Sequence, residues 1–103
     1  LIEILWSVSI ALLAFDGEEW NIYGPIELNL IDGAYPYCSS RTACSFLEQN
    51  EIFININRFD RRDACDRDPL QHEVLHHIYD QQKIEVHGNC NLSAPYILLQ
   101  YSN

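Results

Sequence analysis

The chain of 103 residues contains no methionine, only six Lys and Arg, and no apolar run of the roughly 18 to 20 residues that crosses a bilayer. Each shortage excludes something. Six basic residues against 15 Asp and Glu leave a formal charge of −9, which repels nucleic-acid phosphates and anionic lipid. Nucleic acid is thereby excluded as a partner, and membrane association is not expected. The arginines that do cluster, Arg58, Arg61, Arg62 and Arg67, are interleaved with Asp60, Asp63, Asp66 and Asp68, so the stretch reads as a solvated loop. No C-x-x-C pair occurs among the four cysteines, which argues against zinc ribbons and thioredoxin-like sites. No repeat, Pro/Ser-rich linker or charge block divides the sequence, so residues 1–103 read as one domain.

What is present is a foldable core: 48% of the residues are hydrophobic and 20% charged, the balance of a globular chain rather than a disordered one. Cys38, Cys44, Cys65 and Cys90 make an even set in a small domain, which predicts two disulfides and an extracellular or other oxidising compartment, with buried thiols in a cytoplasmic protein as the alternative. Of the three possible connectivities, Cys38 with Cys44 and Cys65 with Cys90 is preferred because the first pair staples a short local loop. The opening LIEILWSVSIALLAF is nearly all apolar, but it has Glu3 inside it and no basic flank. It reads as a buried first helix, and the absence of an initiating Met suggests trimming from a longer precursor.

Trp20 to Ile31 alternates in part, with Ile26, Leu28 and Leu30 on one face, and predicts a strand that bends or begins pairing at Gly24-Pro25. Glu51 to Asn57 alternates strictly, Ile52, Ile54 and Ile56 against Phe53, Asn55 and Asn57, and its partly polar second face suggests a sheet edge. Asp68-Pro69 then supplies an N-cap and a first helical residue, predicting a helix to about Tyr79 or Asp80 with Leu70, Val74, Leu75 and Ile78 as its core stripe. The predicted fold class is α+β.

That helix reads His72-Glu73-Val74-Leu75-His76, an H-E-x-x-H. Histidines at i and i+4 stand one above the other on a helical face, so both imidazoles can reach one Zn²⁺ at roughly 2.0–2.1 Å. Glu73 is then placed to take a proton from a zinc-bound water, as the general base. Three further groups compete with His87 as third ligand: Asp80, Glu85 and Cys90. His87 is preferred because it is the only histidine outside the helix and is followed by Gly88, which permits a sharp loop. His77 lies about 100° round the helix from His76 and should point away from the metal, supporting the ligands from behind or facing solvent.

On these residues the chain resembles the zincin metallopeptidases, and His87-Gly88 is similar to the His-Gly of SprT-like proteins. The metzincin pattern is absent, because its third histidine would fall at Gln82, its glycine at Tyr79, and there is no Met for a Met-turn. The resemblance implies a small twisted sheet, an N-terminal backing helix and an active-site helix, with Zn²⁺ as cofactor and a peptide or protein as substrate. It implies endopeptidase activity, an edge strand at Glu51 to Asn57 whose Phe53 and Asn55 meet the substrate, and phenols such as Tyr96 or Tyr101 on the oxyanion. Net charge alone suggests basic or neutral peptides. The shortness of the chain after His76 keeps a second reading open: a zinc-binding but non-hydrolytic module, or a latent form with the C-terminal segment in the cleft. A disulfide-stapled domain without metal is the third.

Overall fold

The computed structural model describes residues 3–15 and 17–100. Its elements run β1 (Ile4–Phe15), β2 (Trp20–Ile31), β3 (Ala43–Phe46), β4 (Glu51–Asn55), a 3-10 turn (Ile56–Arg58), α1 (Pro69–Tyr79), a second 3-10 turn (Asp80–Gln82) and β5 (Tyr96–Gln100). The five strands form one mixed sheet in the order β3-β4-β2-β1-β5. Only β2 and β4 are parallel; the other neighbours are antiparallel. The class is α+β, with the helix after the first four strands rather than ahead of the sheet.

The expected N-terminal helix is a strand. Trp6, Val8, Ile10 and Leu12 alternate with Ser7, Ser9, Ala11 and Leu13, and the β-branched Ile4, Val8 and Ile10 suit a pleated surface better than a helix. A turn through Gly17, whose φ of +100° favours glycine, returns the chain so that β2 pairs along the whole of β1. The register shifts between Ile10 and Leu12, opposite Gly24-Pro25, where β2 carries one extra residue. Because β5 pairs on its other side, β1 is an interior strand, and that pairing makes its apolar run intelligible.

A second correction concerns β4. It ends at Asn55 rather than Asn57, and it lies between β3 and β2, not at an edge. Its polar-looking face is covered: the Phe53 ring stacks on Tyr35 with centroids 4.2 Å apart, and the Asn55 amide accepts from the Gly33 and Asn57 backbone and donates to the Arg41 carbonyl. The edge on this side is β3.

One face of the sheet carries the core. Val8, Ile10 and Leu12 of β1, Ile26 and Leu28 of β2, and Ile52 and Ile54 of β4 pack with Val74 and Ile78 of α1. Each such side chain contributes roughly 1.5–3 kcal/mol when fully buried. The helix lies chiefly over β3 and β4, and this sets the position of its histidines. His77 is pinned in the interface: it is 1% exposed and its Nε2 donates to the Glu51 carbonyl at 3.2 Å. Its turning away from the other histidines agrees with the helical phase, but it is a core residue rather than a surface one.

Two disulfides join Cys38 to Cys44 and Cys65 to Cys90, as preferred from the sequence, and they suit an oxidising compartment. Among the described residues no helix is long and apolar enough to cross a membrane.

Candidate metal centre

The helix is phased by its start. Asp68 accepts from the Gln71 backbone at 2.8 Å while the Gln71 side chain accepts from the Asp68 backbone at 3.2 Å, a reciprocal capping box, with Pro69 as first helical residue. The buried stripe of Val74, Leu75 and Ile78 then turns His72 and His76, one turn apart, toward the cleft. His87 comes from the loop beyond the helix. One ring nitrogen from each of the three histidines lies within 4.8 Å of those from the other two, so His72, His76 and His87 form a group that could hold a metal ion.

Each imidazole is held from behind by a carboxylate. Asp63 Oδ2 lies 2.7 Å from His72 Nδ1, Asp80 Oδ2 2.9 Å from His76 Nδ1, and Glu85 Oε1 2.9 Å from His87 Nδ1. A carboxylate accepts from Nδ1–H, and in neutral imidazole this leaves Nε2 as a lone pair. His72 Nε2 and His76 Nε2 stand 3.1 Å apart. Two lone pairs facing one another so closely repel unless they share a cation, and the separation is near the ~3.3 Å between two ligands of a tetrahedral ion bound at 2.0–2.1 Å. The donor set therefore fits a metal. Of the competing third ligands, Asp80 and Glu85 instead orient histidines, and Cys90 is spent in a disulfide.

Asp63 does most. Burial pushes its carboxyl up, but the backbone N–H of Arg67, the His72 ring, the Arg67 guanidinium and the Cys65 backbone N–H outweigh it and hold the group well below the usual carboxylate range. Arg67 reaches onward from Asp63 to the carbonyls of Val86 (3.0 Å) and Asn89 (3.1 Å), on either side of His87-Gly88. Together with the Cys65–Cys90 bridge, this ties the loop bearing His87 to the segment leading into α1. Glu85 is exposed; donation from the His87 backbone and then from its ring lowers the Glu85 carboxyl.

Glu73 lines the same cleft as the histidines and is 6% exposed. The Ser45 hydroxyl on the edge strand β3 lies 2.9 Å from Glu73 Oε1 and 3.1 Å from the Glu73 carbonyl oxygen, so it can donate to either. Burial pushes the Glu73 carboxyl above its ordinary value, against the lowering influence of Ser45 and of the nearby histidines. A cleft of about 450 Å³ opens over the group, lined by His72, Glu73, His76 and His87 on one side and by β3 and the loop ahead of it on another.

Phe53 and Asn55 do not line this cleft; both are buried, 6% and 8% exposed, on the interior strand, so the edge facing it is formed by Ala43, Cys44 and Ser45 instead. Tyr96 sits on β5, at the opposite edge of the sheet, with its ring against Trp20, and Tyr101 lies outside the described residues. Since β5 is the strand farthest from β3, the described end of the chain does not occupy the cleft. Four residues of the site were not anticipated in these roles: Ser45, Asp63, Asp80 and Glu85. Asp80 stands four residues after His76, in the turn that follows the helix, and Glu85 two before His87, so their pairings had a local signal; Ser45 and Asp63 had none. No family model, curated protein or solved structure matches the chain.

Proposed function

We propose that the chain is a zinc-dependent peptidase of minimal, zincin-like form, acting as an endopeptidase in an extracellular or other oxidising compartment. The observation that carries this reading is the convergence of three carboxylate-backed imidazoles at an open cleft with a buried glutamate beside them. Structural zinc sites are closed by four protein ligands, whereas catalytic ones keep three and leave a position open. Imidazole donors suit zinc, copper, iron and nickel alike, and the H-E-x-x-H spacing is what favours zinc among them.

His72, His76 and His87 would hold the zinc, which when bound would supply Lewis acidity toward the scissile carbonyl and the attacking water. The protein supplies the rest. Glu73, desolvated and steered by Ser45, takes a proton from the water and delivers it to the departing amine. Asp63, Asp80 and Glu85 keep Nδ1 of each histidine engaged, which leaves Nε2 as the nitrogen that would bind the metal. The outer edge of β3 would offer backbone groups to an extended peptide, bound as an added strand.

The test is metal content and hydrolysis measured together on the wild type and on Glu73→Gln and His76→Ala variants. One zinc per chain, hydrolysis of an unstructured protein substrate, loss of hydrolysis with zinc retained in Glu73→Gln, and loss of both in His76→Ala are expected. A wild type that binds zinc but cleaves nothing moves the reading to a non-hydrolytic zinc module. A wild type that takes up no zinc after reconstitution overturns it.

A further inference from the structure

We propose that the cleft selects substrates carrying a carboxylate, which Arg61 and Arg62 receive; this rests on the cleft being the peptide site proposed above. The charge of the whole chain argues for basic or neutral peptides, but the cleft wall differs from the rest of the surface. Of the six Lys and Arg in the chain, Arg61, Arg62 and Arg67 line it.

Their situations differ. Arg67 is consumed inside the structure, with Nε on Asp63 and its two terminal nitrogens on the carbonyls of Asn89 and Val86. The carboxylates that line the cleft are engaged as well: Asp63 by Arg67 and His72, Asp80 by His76, Glu73 by Ser45. Arg61 and Arg62 are exposed, and among the described residues neither forms an ion pair. Asp60 and Asp66, close in sequence, do not line the cleft.

Two guanidinium groups without a carboxylate partner thus line a cleft whose three arginines balance its three carboxylates, in a chain of net charge −9. A metal ion on the three histidines adds further positive charge. Low-dielectric walls concentrate such a field, and a guanidinium binds a carboxylate through two parallel hydrogen bonds that neutral isosteres cannot reproduce. The carboxylate has two sources in a peptide, its C-terminus or an Asp or Glu side chain.

Two pairs of fluorogenic peptides separate them, one pair ending in a free acid or an amide, the other carrying Glu or Gln beside the scissile bond. With the zinc-loaded full chain, kcat/KM is expected to favour the acid of at least one pair by about tenfold or more, and which pair does so identifies the source. In an Arg61→Gln, Arg62→Gln double variant that ratio is expected to fall toward one with zinc content unchanged, and the corresponding double Lys variant to restore part of it. Ratios near one for both pairs, or a ratio undiminished in the double Gln variant, overturn the proposal. Fluorescence anisotropy of the same peptides on zinc-loaded Glu73→Gln protein gives the identical comparison without turnover. Preference for the acid there, lost with the two arginines, in a wild type that cleaves nothing, keeps the carboxylate site while overturning hydrolysis; equal binding of acid and neutral peptides overturns the carboxylate site itself.

Discussion

Asp63 holds His72 and Arg67 on a single carboxylate oxygen, each at 2.7 Å. One aspartate thereby orients a candidate ligand and, through Arg67, anchors the loop of another. Removal of a carboxylate behind a metal-bound imidazole typically costs 10–100-fold in affinity. Asp63→Ala is therefore expected to weaken zinc binding by about 10–100-fold, read by competition against a chromophoric chelator. Unchanged affinity would sink the orienting role.

Glu85→Ala makes a graded contrast. Glu85 also accepts from a candidate ligand histidine, yet both partners are largely exposed, 73% and 67%, and water can replace the bond. The same titration is expected to show a loss within about fivefold, smaller than that of Asp63→Ala. An equal or larger loss would mean that exposure does not rank these carboxylates.

The two disulfides should separate by site. Cys65–Cys90 closes the longer loop, with a sequence separation of 25 against 6 for Cys38–Cys44, and it joins the segment before α1 to the loop bearing His87. Cys65→Ala, Cys90→Ala should destabilise by about 3 kcal/mol in chemical denaturation and also weaken zinc binding. Cys38→Ala, Cys44→Ala should destabilise less and spare zinc affinity by comparison. The reverse order in the chelator competition would contradict the bracing of the His87 loop.

His77 gives the chain a pH-dependent stability. Burial holds its imidazole below the ordinary value of about 6.5, with the Glu51 carbonyl opposing, so the folded state keeps it neutral where the unfolded state already binds a proton. Its contribution is complete above about pH 6.5 and declines as the pH falls from there toward the folded value. Urea unfolding of chelator-treated protein at pH 7.5 and pH 5 should show a loss on acidification that is smaller in His77→Gln, whose amide can still donate to Glu51. An identical loss in the variant would place the titrating group elsewhere.

Ile10 tests the strand that replaced the expected helix. It is fully buried at the centre of β1, paired with Ile26 on one side and Leu99 on the other. Ile10→Ala should cost about 2–5 kcal/mol in the same denaturation experiment. A loss below 1 kcal/mol would be incompatible with an interior strand there.

Local chemistry was legible in the residues themselves. The Asp68-Pro69 cap, the phase of α1, the His72 and His76 pair on one face and the turn of His77 away from that pair all follow from interactions spanning four residues or fewer, so they can be read without knowing the rest of the fold. His87 was found by elimination among few histidines, and the disulfide pairing by loop length.

What the sheet decides could not be read this way. An apolar run such as Ile4–Phe15 suits a helix or a fully buried strand equally, and only partners on both sides, β2 and β5, select the strand. Glu51–Asn55 shows its alternation plainly, but whether it lies at an edge depends on where Ala43–Phe46 pairs. Ser45 on β3, and Asp63 with the arginine pair on the loop ahead of α1, come to the histidines' cleft from outside the helix, brought together by the packing of α1 over β3 and by the Arg67 and Cys65–Cys90 ties. The sequence by itself determined the His72 and His76 pair and a short set of third donors, His87 preferred over Asp80, Glu85 and Cys90. Tertiary structure decided which third histidine joins the pair, that Asp63 backs His72, and which strand edge and which arginines line the cleft, because those placements join separate segments of the chain.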